Sequence, residues 1–221
     1  MPTPCPLPSS GAIYTYDRLP FDFLGADGKI TVTPAVRTIQ NNMIFANYGS
    51  AWPIDHDDGS SYYLDRENVL LYAGTKSYLG GHNVSTTDSL LLWPNLNGWG
   101  AATMLYQSVT NASGYAEVWE NNTVVLGAAM GPSRGRGYVD FNPCDAQHTV
   151  PNATHPAPAM VGNTIHIPSG TDPSRFTVGC GPKPLLFSAW QGLGHDHGTS
   201  VLSGSPTTTD LVLRASCLLR M

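Results

Sequence analysis

The sequence predicts an all-β fold, a right-handed parallel β-helix with a short C-terminal capping helix. Its 23 glycines and 18 prolines favour many short strands and tight turns over long helices. Short apolar runs, each preceded by a polar residue, recur at intervals in the twenties, the length that a coil of three strands and three turns needs. From this pattern alone, a β-sandwich or a jelly roll remains the alternative.

Five apolar runs carry the strand prediction. They cover residues 42–45, 68–72, 88–93, 122–126 and 163–167, and each begins with asparagine or aspartate. The first three begin 26 and 20 residues apart, whereas the later intervals are longer and require insertions. The Gly/Asn-rich stretch 95–114 and the Pro-rich stretch 143–160 are the candidates for those insertions.

The polar residue before each run has a predicted structural role. Successive turns of a coil stack at the strand spacing of about 4.8 Å, so like residues lie above like. Asparagine amides can then hydrogen-bond from turn to turn. We therefore expect Asn42, Asn68 and Asp88 to lie near one column, with the aliphatic residues forming a packed interior.

The C-terminal segment predicts a helix. Ser205 is suited to the N-cap and Pro206 to the first helical position. Four apolar residues then fall near one helix face, namely Leu211, Ala215, Leu218 and Leu219. An amphipathic helix over the last turn of a coil would cover its exposed strand edge.

Length and charge bound the class of protein. The 221 residues suit a single β-helix domain over residues 1–221, expected to be a monomer. A net charge of −5, with 11 lysines and arginines, excludes nucleic acid and acidic membrane surfaces as expected partners. No apolar run approaches the roughly 20 residues that span a bilayer.

Two features predict an extracellular protein although the first ten residues do not resemble a signal peptide. The first is a set of four glycosylation sequons, at Asn83, Asn111, Asn121 and Asn152. The second is a set of four cysteines, at Cys5, Cys144, Cys180 and Cys217. Of the possible pairings we favour Cys144–Cys180, whose loop closure would contribute about 3–4 kcal/mol. The chain is then a piece of a secreted protein that lacks the N-terminal turns of its coil.

The densest polar cluster lies at residues 52–63. A strand over 52–57 would place His56 toward the interior and project Asp55 and Asp57 outward, roughly 6.6 Å apart. Asp58–Gly59 is a turn signal. Either the acids solvate a turn beside a buried imidazole, or they form a functional pair of cation ligands or acid/base groups.

Lys76 and His82 follow about one turn later and complete the candidate site. If Asp55, Asp57 and Asp58 bind Ca²⁺, a nearby Lys76 could remove the proton beside a uronate carboxylate. Two carboxylates about 6.5–9.5 Å apart would instead suit an inverting glycosidase. A second tract, residues 194–198, places two histidines around an aspartate but offers no distant third ligand.

Three segments resemble a known family. They read WPIDHDDGSSYY at 52–63, NVLLYAGTKSYLGG at 68–81 and FSAWQGLGHDHGTS at 187–200. Together they resemble eukaryotic secreted right-handed parallel β-helix domain proteins of the pectate-lyase-like superfamily, over residues 34–94 and 140–220. The resemblance implies a polysaccharide, acidic or neutral, lying along the coil, and implies that earlier turns precede this chain.

A looser resemblance concerns the polygalacturonases, in which paired acids are followed one turn later by Gly-His. Asp57–Asp58 and Gly81–His82 match it, but the Asn-Thr-Asp and Arg-x-Lys of that family are not found at their expected places. The predicted function is a carbohydrate-active enzyme of the lyase, epimerase or hydrolase type, with Asp55, Asp57, Asp58, Lys76 and His82 as its site. The alternative is a non-catalytic glycan-binding or structural wall protein.

Overall fold

The fold was analysed in a computed structural model of the chain. The structure describes residues 11–17, 26–27, 35–45, 52–57, 59–77, 82–96, 101–105, 117–128, 137–141, 159–180 and 184–221. The strands, helices and side-chain contacts given below all lie within these residues.

Eighteen short strands form three sheets. The first sheet contains β1 (Ile13–Tyr16), β4 (Ile54–Asp57), β7 (Thr75–Ser77), β10 (Thr103–Leu105), β13 (Val139–Phe141), β16 (Thr177–Cys180) and β17 (Leu185–Leu186). The second contains β2 (Arg37–Gln40), β5 (Tyr63–Arg66), β8 (Val84–Thr87), β11 (Val118–Glu120) and β14 (Ala159–Val161). The third contains β3 (Met43–Phe45), β6 (Val69–Leu71), β9 (Leu90–Leu92), β12 (Thr123–Val125), β15 (Thr164–Ile167) and β18 (Ser200–Ser203).

The chain passes through the three sheets in rotation, a passage that we call a circuit. Neighbouring strands of a sheet come from successive circuits and pair in parallel, as β4 with β7 and β5 with β8. Only the short β17 pairs antiparallel among the described strands, with β16. The all-β prediction is confirmed, and the parallel pairing is compatible with a β-helix. It excludes the sandwich and jelly-roll alternative, whose neighbouring strands are antiparallel.

All five predicted apolar runs are strands, and all five belong to the third sheet. They contain β3, β6, β9, β12 and β15, which pair in this order. The intervals read from the sequence are therefore the lengths of successive circuits. The strands of the other two sheets carry buried polar residues such as His56, Asp65 and Thr86, and this hides their apolar pattern in the sequence.

A column of polar residues precedes the strands of the third sheet, and we call it the polar ladder. Its members are Asn42, Asn68, Ser89, Asn122, Asn163 and Thr199. Asn122 Oδ1 accepts from the backbone N–H of Ser89 at 3.0 Å, and its Nδ2 donates to the carbonyl of Thr86 at 2.9 Å. Asn163 bonds Asn122 and Trp119 of the preceding circuit in the same way. The ladder side chains thus accept from the buried N–H groups at the corner between the second and third sheets, and the asparagines also bond to carbonyls of the second sheet.

The predicted column was right for Asn42 and Asn68 and wrong for Asp88. Ser89 takes the ladder position, and Asp88 lies one residue earlier, where the chain turns. Residues at that earlier position have positive φ on every circuit, from 52° to 70° at Asn41, Glu67, Asp88, Asn121, Gly162 and Gly198. A left-handed residue is needed there because the backbone changes direction between the second and third sheets.

Two helices complete the fold: α1 (Phe187–Gly192) and α2 (Thr208–Leu219). The sequence did not predict α1, which packs against β16 and β17 and buries Phe187 and Trp190 in the interior core. It packs on core residues of the last circuits. Neither helix is long and apolar enough to cross a bilayer, within the part of the chain described.

The C-terminal helix has the predicted apolar face but another position. Leu211, Ala215, Leu218 and Leu219 pack against the outer face of the third sheet, on Val69, Leu90, Leu92 and Val125. The helix therefore lies along the side of the sheet instead of capping the last turn. Its N-cap is Thr207 and not Ser205, because Thr207 forms a capping box with Asp210.

The predictions on disulfide bonding and glycosylation are not tested by the structure. Cys144 lies outside the described residues, so the Cys144–Cys180 pairing stays a prediction. Cys217 is a free cysteine, exposed on α2. Of the four sequons, Asn111 and Asn152 also lie outside the described residues.

The polar ladder yields a stability prediction. Replacing Asn122 by alanine leaves the buried N–H of Ser89 without its partner and removes a hydrogen bond to the carbonyl of Thr86, so we expect a loss of about 1–3 kcal/mol in the free energy of unfolding. Urea denaturation measures it. Asn42→Ala is the matched control at the partly exposed end of the ladder and should cost less than about 1 kcal/mol. Equal losses in the two variants would contradict the ladder's role.

Candidate functional site

The acid cluster lies on β4, and the strand's alternation is as predicted. Ile54 and His56 are buried in the interior, at 0% and 1% exposure, whereas Asp55 and Asp57 lie on the opposite face. β4 pairs with β1 on one side and with β7 on the other. The register places Tyr14 of β1 and Lys76 of β7 next to Asp55. Three circuits therefore bring their polar outer residues together on the first sheet.

Lys76 joins the two aspartates. Its Nζ lies 2.8 Å from Asp55 Oδ1 and 2.8 Å from Asp57 Oδ1. The lysine is only 12% exposed and Asp55 is completely buried beneath it, while Asp57 keeps 22% exposure. Asp55 was predicted to project into solvent, and it does not, because the aliphatic stem and ammonium group of a long side chain cover it.

Tyr14 and Tyr16 extend this cluster along the sheet. The hydroxyl of Tyr14 donates to Asp57 Oδ2 at 2.9 Å, so Asp57 accepts from both a tyrosine and a lysine. The rings of Tyr14 and Tyr16 are nearly parallel, 11° apart with centroids separated by 6.5 Å, and both are nearly half exposed. Neither tyrosine was predicted as a site residue, although the alternation Ile-Tyr-Thr-Tyr at 13–16 indicates a strand with an aromatic outer face.

The electrostatics of the cluster favour a protonated lysine. Burial alone would lower the pKa of Lys76, but its hydrogen bonds to Asp55 and Asp57 outweigh burial and raise it above the ordinary lysine value. Burial raises the pKa of Asp55, and the ammonium group of Lys76 opposes that rise. The cluster is thus an ion pair between Lys76 and the buried Asp55, together with the partly exposed carboxylate of Asp57.

This geometry limits the chemistry that the acids can perform. Two oxygens that each lie 2.8 Å from one nitrogen are at most twice that distance apart. This separation is shorter than the roughly 6.5–9.5 Å that an inverting glycosidase leaves for its water. A lysine whose pKa is raised is also a poor general base at neutral pH.

His82 is not among the described contacts of the acid cluster. It is 2% exposed, its Nδ1 lies 3.0 Å from Asn83 Oδ1, and its ring packs edge-on against Tyr62 at 5.2 Å. Burial lowers its pKa, so the imidazole is neutral at pH 7. Its backbone N–H donates to Ser61, which places it one circuit beyond the turn that follows Asp57.

The Ca²⁺ prediction remains open. Asp58, one of its three ligands, lies outside the described residues. The ammonium group of Lys76 lies between the other two ligands, Asp55 and Asp57, where a cation would be expected. No group of three or more His, Cys, Asp or Glu side chains placed to hold a metal occurs in the described ranges.

The histidine tract at 194–198 has a structural explanation. Asp196 is completely buried and accepts hydrogen bonds from Tyr138, Trp190 and Thr199, at 3.0, 3.1 and 2.7 Å. Burial raises its pKa, and these donors oppose the rise. The ring of His195 packs against that of Trp190, with centroids 4.3 Å apart and the ring planes tilted by 37°. The tract holds α1 against the last circuits of the core.

A buried polar group lies inside the first and second circuits. His56 Nε2 lies 2.8 Å from Asp65 Oδ2, and both residues are buried. His56 Nδ1 lies 2.8 Å from the hydroxyl of Thr15. The sequence predicted a buried, satisfied imidazole at His56, and this is confirmed, but its partners come from β1 and β5 and could not be identified from spacing.

Comparisons with protein-family models, with curated proteins and with solved structures found no match to this chain. The resemblance to secreted β-helix proteins therefore rests on the three quoted segments, to which the structure adds the parallel pairing of the sheets.

The Lys76 ion pair yields a pH-dependent prediction. In Lys76→Met, Asp55 loses the ammonium that opposes the effect of burial, so its folded-state pKa rises further above the ordinary 3.8. When a carboxyl group has a higher pKa in the folded protein than in the unfolded one, the folded protein loses stability as the pH rises from the unfolded-state pKa to the folded-state pKa. We expect little loss of unfolding free energy at pH 4 and a loss of about 3 kcal/mol at pH 7, measured by urea denaturation.

The double variant Asp55→Asn/Lys76→Met is the control. Without a buried carboxyl group to ionise, most of the loss at pH 7 should disappear. A Lys76→Met variant whose loss is the same at both pH values would contradict the ion-pair assignment.

Proposed function

We propose that this chain is a carbohydrate-binding protein whose first sheet holds an uncharged polysaccharide on its outer face. The observation that carries the proposal is the cluster of Tyr14, Tyr16, Asp57 and Lys76, with parallel exposed rings beside a carboxylate–ammonium pair. The rings offer apolar faces with polar edges, and the charged pair offers donors and acceptors to sugar hydroxyls.

The charge of the site supports an uncharged ligand over a uronate polymer. Two aspartates share one lysine, so the described residues of the cluster carry more negative than positive charge, which repels a carboxylate. The whole chain has a net charge of −5, which repels polyanions at low ionic strength. An uncharged polysaccharide avoids both repulsions.

Binding is supported better than catalysis. Lys76 is protonated and could act as a base only after losing its proton, which its hydrogen bonds to two carboxylates oppose. Asp55 is shielded from any ligand by Lys76. These features stabilise a fixed hydrogen-bonding surface.

One observation favours the enzymatic alternative of a lyase, epimerase or hydrolase. A lyase requires a basic residue next to acids in one groove, and Lys76 meets Asp55 and Asp57 in this way. If Ca²⁺ displaced the ammonium group from the aspartates, the lysine would be freed to act as a base. New unsaturated ends, assayed with and without Ca²⁺ on polyuronates, test this alternative directly.

For the fold we propose the right-handed parallel β-helix of secreted proteins. Three sheets visited in rotation support the coil, and the strong preference of parallel strand crossovers for the right hand supports the handedness. An extracellular location is proposed with it, on the strength of the resemblance and the sequons. A crystal structure that shows left-handed circuits would overturn the handedness.

Removal of the exposed ring tests the proposed binding face. In Tyr16→Ala we expect at least a tenfold loss of affinity for whichever soluble glucan, mannan or xylan binds the parent protein, about 1.4 kcal/mol or more. Isothermal titration calorimetry measures the loss. The melting temperature should be nearly unchanged, because the Tyr16 side chain is half exposed.

Phe45→Ala is the matched control, because it removes a ring that is 60% exposed on the third sheet. It should leave glycan affinity unchanged. Equal losses in the two variants, or a parent protein that binds none of the three polymers, would overturn the proposed binding face.

A further inference from the structure

A chain of hydrogen bonds connects the buried interior to the strand that carries the two tyrosines. It begins at Asp65 on β5, passes through His56 on β4 and Thr15 on β1, and ends at Ser60. Ser60 in turn donates to the backbone carbonyl of Asp57 at 2.8 Å. Each hydrogen bond in the chain is between 2.8 and 2.9 Å long.

The number of available protons fixes the direction of each bond. A carbonyl oxygen can only accept, so the single proton of Ser60 goes to Asp57. The bond between Thr15 and Ser60, 2.9 Å long, must then use the proton of Thr15. A threonine hydroxyl has no second proton to donate, so Thr15 can only accept from His56. Nδ1 of the imidazole therefore carries a proton.

The same counting applies to the other side of the ring. His56 Nε2 and Asp65 Oδ2 lie 2.8 Å apart and share a second proton, whichever atom holds it. The pair is therefore electrically neutral as a unit, either as imidazolium and carboxylate or as imidazole and carboxylic acid. Neutrality explains how both groups can lie inside the coil at 1% and 0% exposure.

We infer that His56 is a positioning residue for the tyrosine face, an imidazole that donates from Nδ1 to Thr15 and is held in that state by Asp65. Thr15 lies between Tyr14 and Tyr16 on β1 and points to the opposite side of the strand. Its two side-chain bonds fix β1 against β4, and with it the two rings. This inference deepens the proposed function, on which its glycan-binding test rests.

The first test needs no ligand. Long-range ¹H–¹⁵N correlation spectra of the whole chain report the protonation of each ring nitrogen of His56. We expect a protonated Nδ1 in the folded protein near neutral pH. An unprotonated Nδ1 would reverse the bond to Thr15 and overturn the inference, whether or not the protein binds a glycan.

The second test compares two substitutions of nearly equal size. Thr15→Ser keeps the hydroxyl group that accepts from His56, whereas Thr15→Val keeps the shape and removes it. We expect the ring signals of Tyr14 and Tyr16 to shift and broaden in Thr15→Val only. With the glucan, mannan or xylan that binds the parent protein, Thr15→Val should bind at least fivefold more weakly and Thr15→Ser within twofold.

Asp65→Asn provides a rescue experiment. The amide of asparagine donates to Nε2 and so keeps the proton on Nδ1, and the tyrosine signals should match those of the parent protein. Unshifted tyrosine signals in Thr15→Val, or shifted ones in Asp65→Asn, would overturn the positioning role. If the tyrosine signals respond as expected and no polymer binds, the proposed function fails and the positioning role stands.

Discussion

The structure depends on one constraint, the satisfaction of backbone hydrogen-bonding groups where the chain leaves one sheet and enters the next. Parallel strands of three or four residues pair their own backbones, but the corners between sheets cannot. The polar ladder supplies partners at one of these corners, since its side chains accept from the N–H groups of the preceding circuit. A left-handed residue immediately before it turns the chain. This repeated pair, a left-handed residue followed by a ladder residue, sets the strand register and the geometry of the corner. The positions of the outer side chains follow from that register.

The candidate site is a product of that register. Tyr14, Asp55 and Lys76 come from three separate circuits and meet because parallel pairing places them side by side. The interior behind them is also polar, since His56 and Asp65 lie where a coil usually has aliphatic residues. β1 and β4 each carry residues of the outer face on one side and residues of the inner hydrogen-bond chain on the other. A shift of either strand therefore moves both sets of side chains.

Sequence reasoning reached the third sheet and the acid cluster for identifiable physical reasons. In the middle of the third sheet β6 and β9 are apolar on both faces, and α2 packs on the outer one, so these strands are visible in the sequence as continuous apolar runs. The meeting of Lys76 with Asp55 and Asp57 followed from the approximate length of a circuit. The burial of Asp55 and the bonds of Thr15 could not be predicted, because each depends on the exact register between neighbouring strands, and circuit length gives that register only approximately. The location of α2 could not be predicted, because its partners lie in circuits far away along the chain.

The position of α2 has a consequence for how the chain is made. Its last turn bonds to the beginning of the fold, where Asn41 donates to the carbonyl of Leu218 and Arg220 lies 3.4 Å from Glu67, across separations of 177 and 153 residues. During synthesis the early circuits emerge from the ribosome long before this helix exists. The outer apolar residues of the third sheet are thus exposed for most of translation, and a nascent chain arrested before residue 208 would be a natural client for chaperones.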